Sequence, residues 1–164
     1  MNTPGLLPSS TAHIDGCHYG LGRALIPIVV YKGLQNSRPR VLLADRDDAT
    51  PTLVSSIIAS RFEMIGTVYD GEAAVEMGAG LKPDVLVSDI ILPKLNGFEV
   101  VRQLTALSPA TKVVILTDVD EPDFIVEALQ LGVSGFVLKR KVRMDLPLAI
   151  NAVLEGKVFV SAQE

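Results

Sequence analysis

The feature that most limits how this chain can fold is a series of short apolar runs that recurs from Arg40 onward, with a helix-like segment after each. Residues 41–44, 64–69, 84–88, 112–117 and 135–138 have strand length. The most apolar of them, such as Val113-Val114-Ile115-Leu116, read as strands covered on both faces. Between them, apolar residues recur at helical spacing. Residues 51–61 place Leu53, Val54, Ile57 and Ile58 on one stripe, with Thr50 as N-cap and Pro51 in the first turn. A short helix is expected over 71–77, closed by Gly78 or Gly80, and another after Gly97 that buries Phe98, Val101 and Leu104. Two more are expected over 122–131, closed by Gly132, and over about 144–154. Right-handed crossovers and helices on both faces make a doubly wound, five-stranded parallel α/β sheet the natural packing.

At 164 residues the chain holds one domain of ordinary size with room for an extra tail. Residues 1–38 are rich in Gly, Pro, Ser and Thr without sustained period and read as a poorly ordered extension, with one short extended segment at 26–31. Residues 39–156 form the domain and 157–164 a C-terminal tail. The net charge of −4 is uneven: three basic residues and one acid precede Arg40, so the remainder carries −6. An acidic body argues against nucleic acid as its main ligand. The single cysteine, Cys17, excludes an internal disulfide framework. His13, Cys17 and His18 lack a fourth metal ligand. The apolar stretch 24–31 is too short to span a membrane and no signal peptide is evident, so the expected location is cytoplasmic.

Four of the five strands run directly into polar residues: Asp45, Asp89, Thr117 and Lys139. In a parallel sheet these ends share one edge, where open α/β folds gather their ligands. Carboxylates there can hold Mg²⁺, and a hydroxyl with an ammonium can hold phosphoryl oxygens. Metal and lysine would balance the charge that develops when a carboxylate attacks phosphorus. Behind Asp89, Pro93 and Asn96-Gly97 read as a turn.

In four segments the chain resembles the receiver domain of two-component response regulators: Val41-Leu42-Leu43-Ala44-Asp45, the Asp89-to-Pro93 run with Asn96-Gly97, Val113-to-Thr117, and Gly132-to-Lys139. The resemblance covers residues 40 to about 161. It implies a flavodoxin-like strand order, 2-1-3-4-5, and Asp89 as acceptor of a phosphoryl group from a histidine kinase or phosphotransfer protein. Asp45 and Asp89 would place Mg²⁺, Thr117 would bind a phosphoryl oxygen, Lys139 would pair with it, and Phe136 would be the aromatic switch whose ring turns inward. Signalling would run through the 122–154 face, toward a partner or a second copy in a homodimer. The chain would act as a phosphoacceptor rather than a conventional enzyme.

One position departs from the family. Two adjacent acids normally follow the first strand; here the sequence is Asp45-Arg46-Asp47-Asp48, with Arg46 in place of the second acid. A cation there removes a ligand and lowers metal affinity, with Asp47 as a substitute ligand from the loop. Arg46 also leaves open a rival reading, a degenerate receiver that binds a partner without phosphorylation; alternatively it points outward or pairs with Asp89. Ile91 offers nothing polar to orient water, so hydrolysis of a phosphorylated Asp89 is expected to be slow. Asp118 is read as facing solvent, with a like charge beside the phosphoryl group as the alternative. The Lys139-to-Arg143 basic run has no interleaved aromatics and reads as a solvated loop, and with the chain ending at Glu164 no direct DNA binding is expected. A phosphohydrolase or flavin-binding reading is weaker, because no second acid follows Asp89 and no phosphate loop follows the first strand.

Overall fold

The computed structural model describes residues 37–162, plus the backbone of two short strands before them. Those two, Gly20–Leu21 and Ala24–Leu25, pair antiparallel within a unit that ends at Ser37. The extended segment read at 26–31, and His13, Cys17 and His18, lie outside the described residues.

The second unit alternates strand and helix: β1 (Arg40–Ala44), α1 (Thr50–Ile58), β2 (Glu63–Val68), α2 (Gly71–Leu81), β3 (Val85–Ser88), α3 (Gly97–Leu107), β4 (Lys112–Thr117), α4 (Pro122–Gln130), β5 (Gly135–Leu138), α5 (Val142–Leu154) and β6 (Phe159–Val160). The strands lie in the order β2-β1-β3-β4-β5-β6, all parallel. The expected flavodoxin-like order is present, extended by β6.

Alternate strand residues feed two separate cores. Leu42, Leu86, Ile115, Phe136 and Leu138 face α2, α3 and α4, where they meet Ala74, Phe98, Leu104 and Ala128. Val41, Leu43, Val87, Val114, Leu116 and Val137 face α1 and α5, packing with Val54, Ile58, Leu146 and Ile150. Both faces of the central strands are therefore covered, which is why their interiors are apolar, while the edge strand β2 is only partly buried. Helix α4 is the exception to firm anchoring: Ala128 is its one fully buried residue.

Several boundaries differ from expectation. Thr50 does not cap α1 but lies inside it. Ala49 occupies the N-cap without a side-chain bond, and the Asp47 carboxylate accepts the Ala49 N–H at 2.9 Å. Helix α2 passes both Gly78 and Gly80 and ends at Lys82, which takes the left-handed C-cap with φ 46°. Gly78 is spent on packing instead: a Cβ there would sit 2.8 Å from Leu104 Cδ1. Asn96-Gly97 opens a helix rather than forming the turn, since Asn96 Oδ1 accepts the Glu99 N–H at 2.9 Å as the α3 cap. The turn lies just before, at Pro93-Lys94-Leu95. Leu95 N–H donates to Pro93 O at 2.8 Å across Lys94, whose φ is 67°. A non-glycine residue there carries strain of roughly 1 kcal/mol or more, and the neighbouring loop holds it in place. Lys94 Nζ lies 3.0 Å from Asp70 and 3.5 Å from Glu72, and Gly71 N–H donates to Pro93 O at 3.0 Å.

The residues after α5 join the sheet through β6, which pairs with β5. Ser161 is buried there: its Oγ accepts the Leu138 N–H at 3.2 Å and donates to Asp145 Oδ2 at 2.5 Å.

Candidate functional site

Strand register brings the four predicted polar residues to one edge. Ala44 pairs with Ser88, and Thr117 with Leu138, so Asp45, Asp89, Thr117 and Lys139 emerge together at the C-terminal ends of β1, β3, β4 and β5. Backbone bonds hold the edge: Asp89 N–H donates to Ala44 O at 2.9 Å and Asp45 N–H to Val68 O at 3.1 Å. Gly97 brings the start of α3 against it. Its N–H donates to Ile90 O at 2.7 Å, and a Cβ there would lie 2.3 Å from Asp89 O. This close approach admits glycine alone.

The edge opens into a cleft of about 380 Å³ bordered by Arg46, Asp89, Ile91, Thr117 and Lys139, with Asp47, Asp118 and Val119 at its rim. Asp45 is fully buried and Asp89 is 5% exposed. Lys139 Nζ bridges the two, 2.9 Å from Asp89 Oδ2 and 2.8 Å from Asp45 Oδ2. Its hydrogen bond is aligned on Asp89, so Asp45 Oδ2 is left with an ion-pair contact but no aligned donor. The remaining carboxylate oxygens accept backbone amides: Asp45 Oδ1 from Asp47 at 2.8 Å, Asp89 Oδ1 from Ile91 at 3.2 Å. Burial alone would push the lysine pKa down. The close contacts and attraction of Asp45 and Asp89 outweigh it, and hold the Lys139 ammonium above the usual lysine value.

Thr117 is 1% exposed. Its Oγ accepts the Val119 N–H at 3.2 Å, which leaves the hydroxyl proton to donate elsewhere. Phe136, whose ring was expected to turn inward on switching, is already inside, fully buried among the residues between the sheet and α4. Asp118 is exposed at the cleft rim. Arg46 borders the cleft, and among the described residues it makes no ion pair; the partner of Asp89 is Lys139. Asp47 turns its carboxylate to its own loop, toward Ala49 N–H and, at 3.5 Å, Thr50 Oγ.

The donor set is a poor fit for Mg²⁺. Asp45 Oδ2 is a buried oxygen without an aligned donor, yet only two carboxylates converge and both already pair with Lys139. No group of three acidic, His or Cys side chains suited to a metal occurs among the described residues. Arg46, which also lines the cleft, adds a positive charge there.

Sequence reasoning named the cleft residues but missed how Lys139 bridges the two acids. It also missed the lock between Lys94, Asp70 and the Pro93 carbonyl. The basic run after Lys139 is partly engaged: Arg140 pairs with Asp120, and Lys141 Nζ donates to Ala162 O at 2.8 Å. Among the described residues no helix is long and apolar enough to cross a membrane.

Comparison with known proteins agrees with this fold. The chain is 35% identical over 99 residues to the transcriptional regulatory protein DegU of Brevibacillus brevis, covering 60% of this chain and 42% of that protein. It is 31% identical over 126 residues to the response regulator GacA of Pseudomonas viridiflava, covering 76% and 59%. It therefore spans about half the length of these relatives. Among solved structures, the signal receiver domain of NarL from Mycobacterium tuberculosis superposes with a TM-score of 0.70 at 27% identity, covering 74% of this chain and 99% of that one. The response regulator domain of CheB from Thermotoga maritima gives 0.66 at 29% identity, covering 72% and 97%. Residues 41–151 match the response regulator receiver domain, and the chain belongs to that family.

Proposed function

We propose that this protein is the phosphoacceptor of a two-component relay, taking a phosphoryl group onto Asp89 from a histidine kinase or phosphotransfer protein. The observation that carries this reading is the placement of Asp89: nearly buried at the end of the central strand, with the Lys139 ammonium 2.9 Å away and Thr117 bordering the same cleft. A carboxylate oxygen of Asp89 attacks the phosphorus of the donor. The bond from phosphorus to the leaving group breaks, and the leaving group keeps the electron pair. Lys139, already at Asp89 Oδ2, stays paired with the transferred oxygens, and the Thr117 hydroxyl proton donates to one of them. Receiver domains typically bind Mg²⁺ in an acidic pocket, but the donor set here supports no step through it.

The output follows from the packing. Movement of Thr117 pulls the loop that leads into α4, the helix with the least buried anchorage. Val126 and Leu129 on α4, and Met144 and Leu148 on α5, are exposed apolar residues available to a partner or a second copy. Ile91, 47% exposed at the cleft, gives an attacking water nothing to bind, which favours slow hydrolysis.

The test is to incubate the protein with acetyl phosphate and detect a base-labile adduct by intact mass, absent in Asp89→Asn. If the wild type acquires no adduct under any metal condition, the phosphoacceptor reading fails. The second reading, a receiver that binds its partner constitutively, would then hold; the guanidinium of Arg46 at the cleft is what favours it.

A further inference from the structure

Among the described residues, one cation lining the cleft, Arg46, makes no ion pair. Lys139 is committed to Asp45 and Asp89 at 2.8 and 2.9 Å. Arg46, adjacent in sequence to Asp45, borders the same cleft and makes no ion pair among the described residues. The carboxylate of Asp47, which could have paired with it, is turned to Ala49 and Thr50. Asp118 is the remaining acid at the rim, and it is exposed.

From this arrangement we infer that the Arg46 guanidinium takes the charge-balancing place of a divalent cation, so that phosphoryl transfer to Asp89 proceeds without metal. The inference rests on the reading of Asp89 as phosphoacceptor. With acetyl phosphate, Asp89 Oδ forms a bond to phosphorus, the bond from phosphorus to the acetyl oxygen breaks, and acetate leaves with the electron pair. No proton is gained or lost, and the side chain goes from one negative charge to two. Asp45 and Asp89 bring two negative charges and Lys139 one positive, so the extra charge of the acyl phosphate has no counter-ion among these three. Arg46 supplies it. A guanidinium is always charged, is less strongly hydrated than an ammonium, and presents paired N–H donors that match two oxygens of a phosphoryl group. The missing third acid and the added cation are thus one change with two effects: metal affinity falls and metal need falls with it.

The experiment measures the rate of adduct formation at Asp89 by intact mass, in EDTA and in Mg²⁺, for wild type, Arg46→Ala, Arg46→Lys and Arg46→Asp. All should fold, since Arg46 is exposed, and circular dichroism checks this. Wild type should label at a similar rate in both conditions. Arg46→Ala should lose about tenfold or more in EDTA, Arg46→Lys should retain part of the rate, and Arg46→Asp should label only with Mg²⁺. Wild-type labelling that requires Mg²⁺ would overturn the inference and leave the phosphoacceptor reading intact. Equal rates for wild type and Arg46→Ala in EDTA would also overturn it. No labelling of any variant in either condition would overturn both.

Discussion

Gly97→Ala tests whether the close contact between α3 and the Asp89 turn builds the site. The added Cβ would meet two backbone atoms, Asp89 O at 2.3 Å and Ile90 Cα at 2.8 Å, neither of which can rotate away. Relief to the 3.4 Å of ordinary van der Waals contact moves the helix start and the turn apart by about 1 Å, as overpacked sites must. That shift breaks the 2.7 Å bond from Gly97 N–H to Ile90 O, a loss of about 1 kcal/mol. Overpacking against a rigid backbone adds about 1–3 kcal/mol. Urea denaturation should therefore show a loss of about 2–4 kcal/mol at an unchanged slope. The same displacement moves Asp89 relative to Lys139, so labelling by acetyl phosphate should slow by about a hundredfold even under conditions where the variant is fully folded. A variant within about 0.5 kcal/mol of wild type, labelling at the normal rate, would refute the argument that this contact positions the acid.

Three further outcomes are expected. Gly80→Ala, in α2 with nothing within 4 Å of its Cβ, should stabilise the domain by about 0.5–1 kcal/mol in the same assay. Ser161→Ala should destabilise it by about 1–3 kcal/mol, because it leaves the Leu138 N–H and the Asp145 carboxylate without their partner. Hydrogen exchange at Leu138 should accelerate, and an unchanged rate would count against the bridge. Lys139 is held above its ordinary 10.5 in the folded state, so its contribution to stability is complete below that pH and is lost as pH rises through the folded value. Denaturation curves between about pH 9 and pH 11.5 should fall more steeply for wild type than for Lys139→Met, which still contains Lys94 and Lys157, whose values are also raised by acidic partners. Parallel curves would remove Lys139 as the cause.

The strands and the site were legible for the same reason. A strand buried on both faces must be apolar from end to end, so the first polar residue after each run marks its exit from the core, and in a parallel sheet all exits share an edge. Asp45, Thr117 and Lys139 follow that rule; on β3 the first polar residue is Ser88, still fully buried within the strand, and Asp89 comes one residue later. What escaped was local chemistry with more than one solution. Asp47 rather than Thr50 holds the start of α1, because an aspartate two residues before a backbone N–H can bond it from outside the helix. Gly78 resembled a helix stop but serves the close approach of Leu104, and only the packing partner reveals the difference. Strand β6 has two residues, too few for any period to show; its one sequence signal is Ser161, a small hydroxyl that bridges β5 and α5. The bridging of two acids by Lys139 depends on distances across three strands, which no spacing encodes.

Strand β6 also gives the domain a direction of mechanical load. Phe159 N–H donates to Ser134 O and Ser161 N–H to Phe136 O, while Leu138 N–H donates back to Ser161 Oγ. These bonds act in parallel along the strand that carries Phe136 and ends at Leu138, just before Lys139. Tension applied at Ala162 is therefore borne in shear by β5 before it reaches α5, as it is when a strand is pulled along its own axis. The segment at 159–161 is thus fastened to β5 and its leading residue at three points, so pulling it along the strand axis strains all three bonds together.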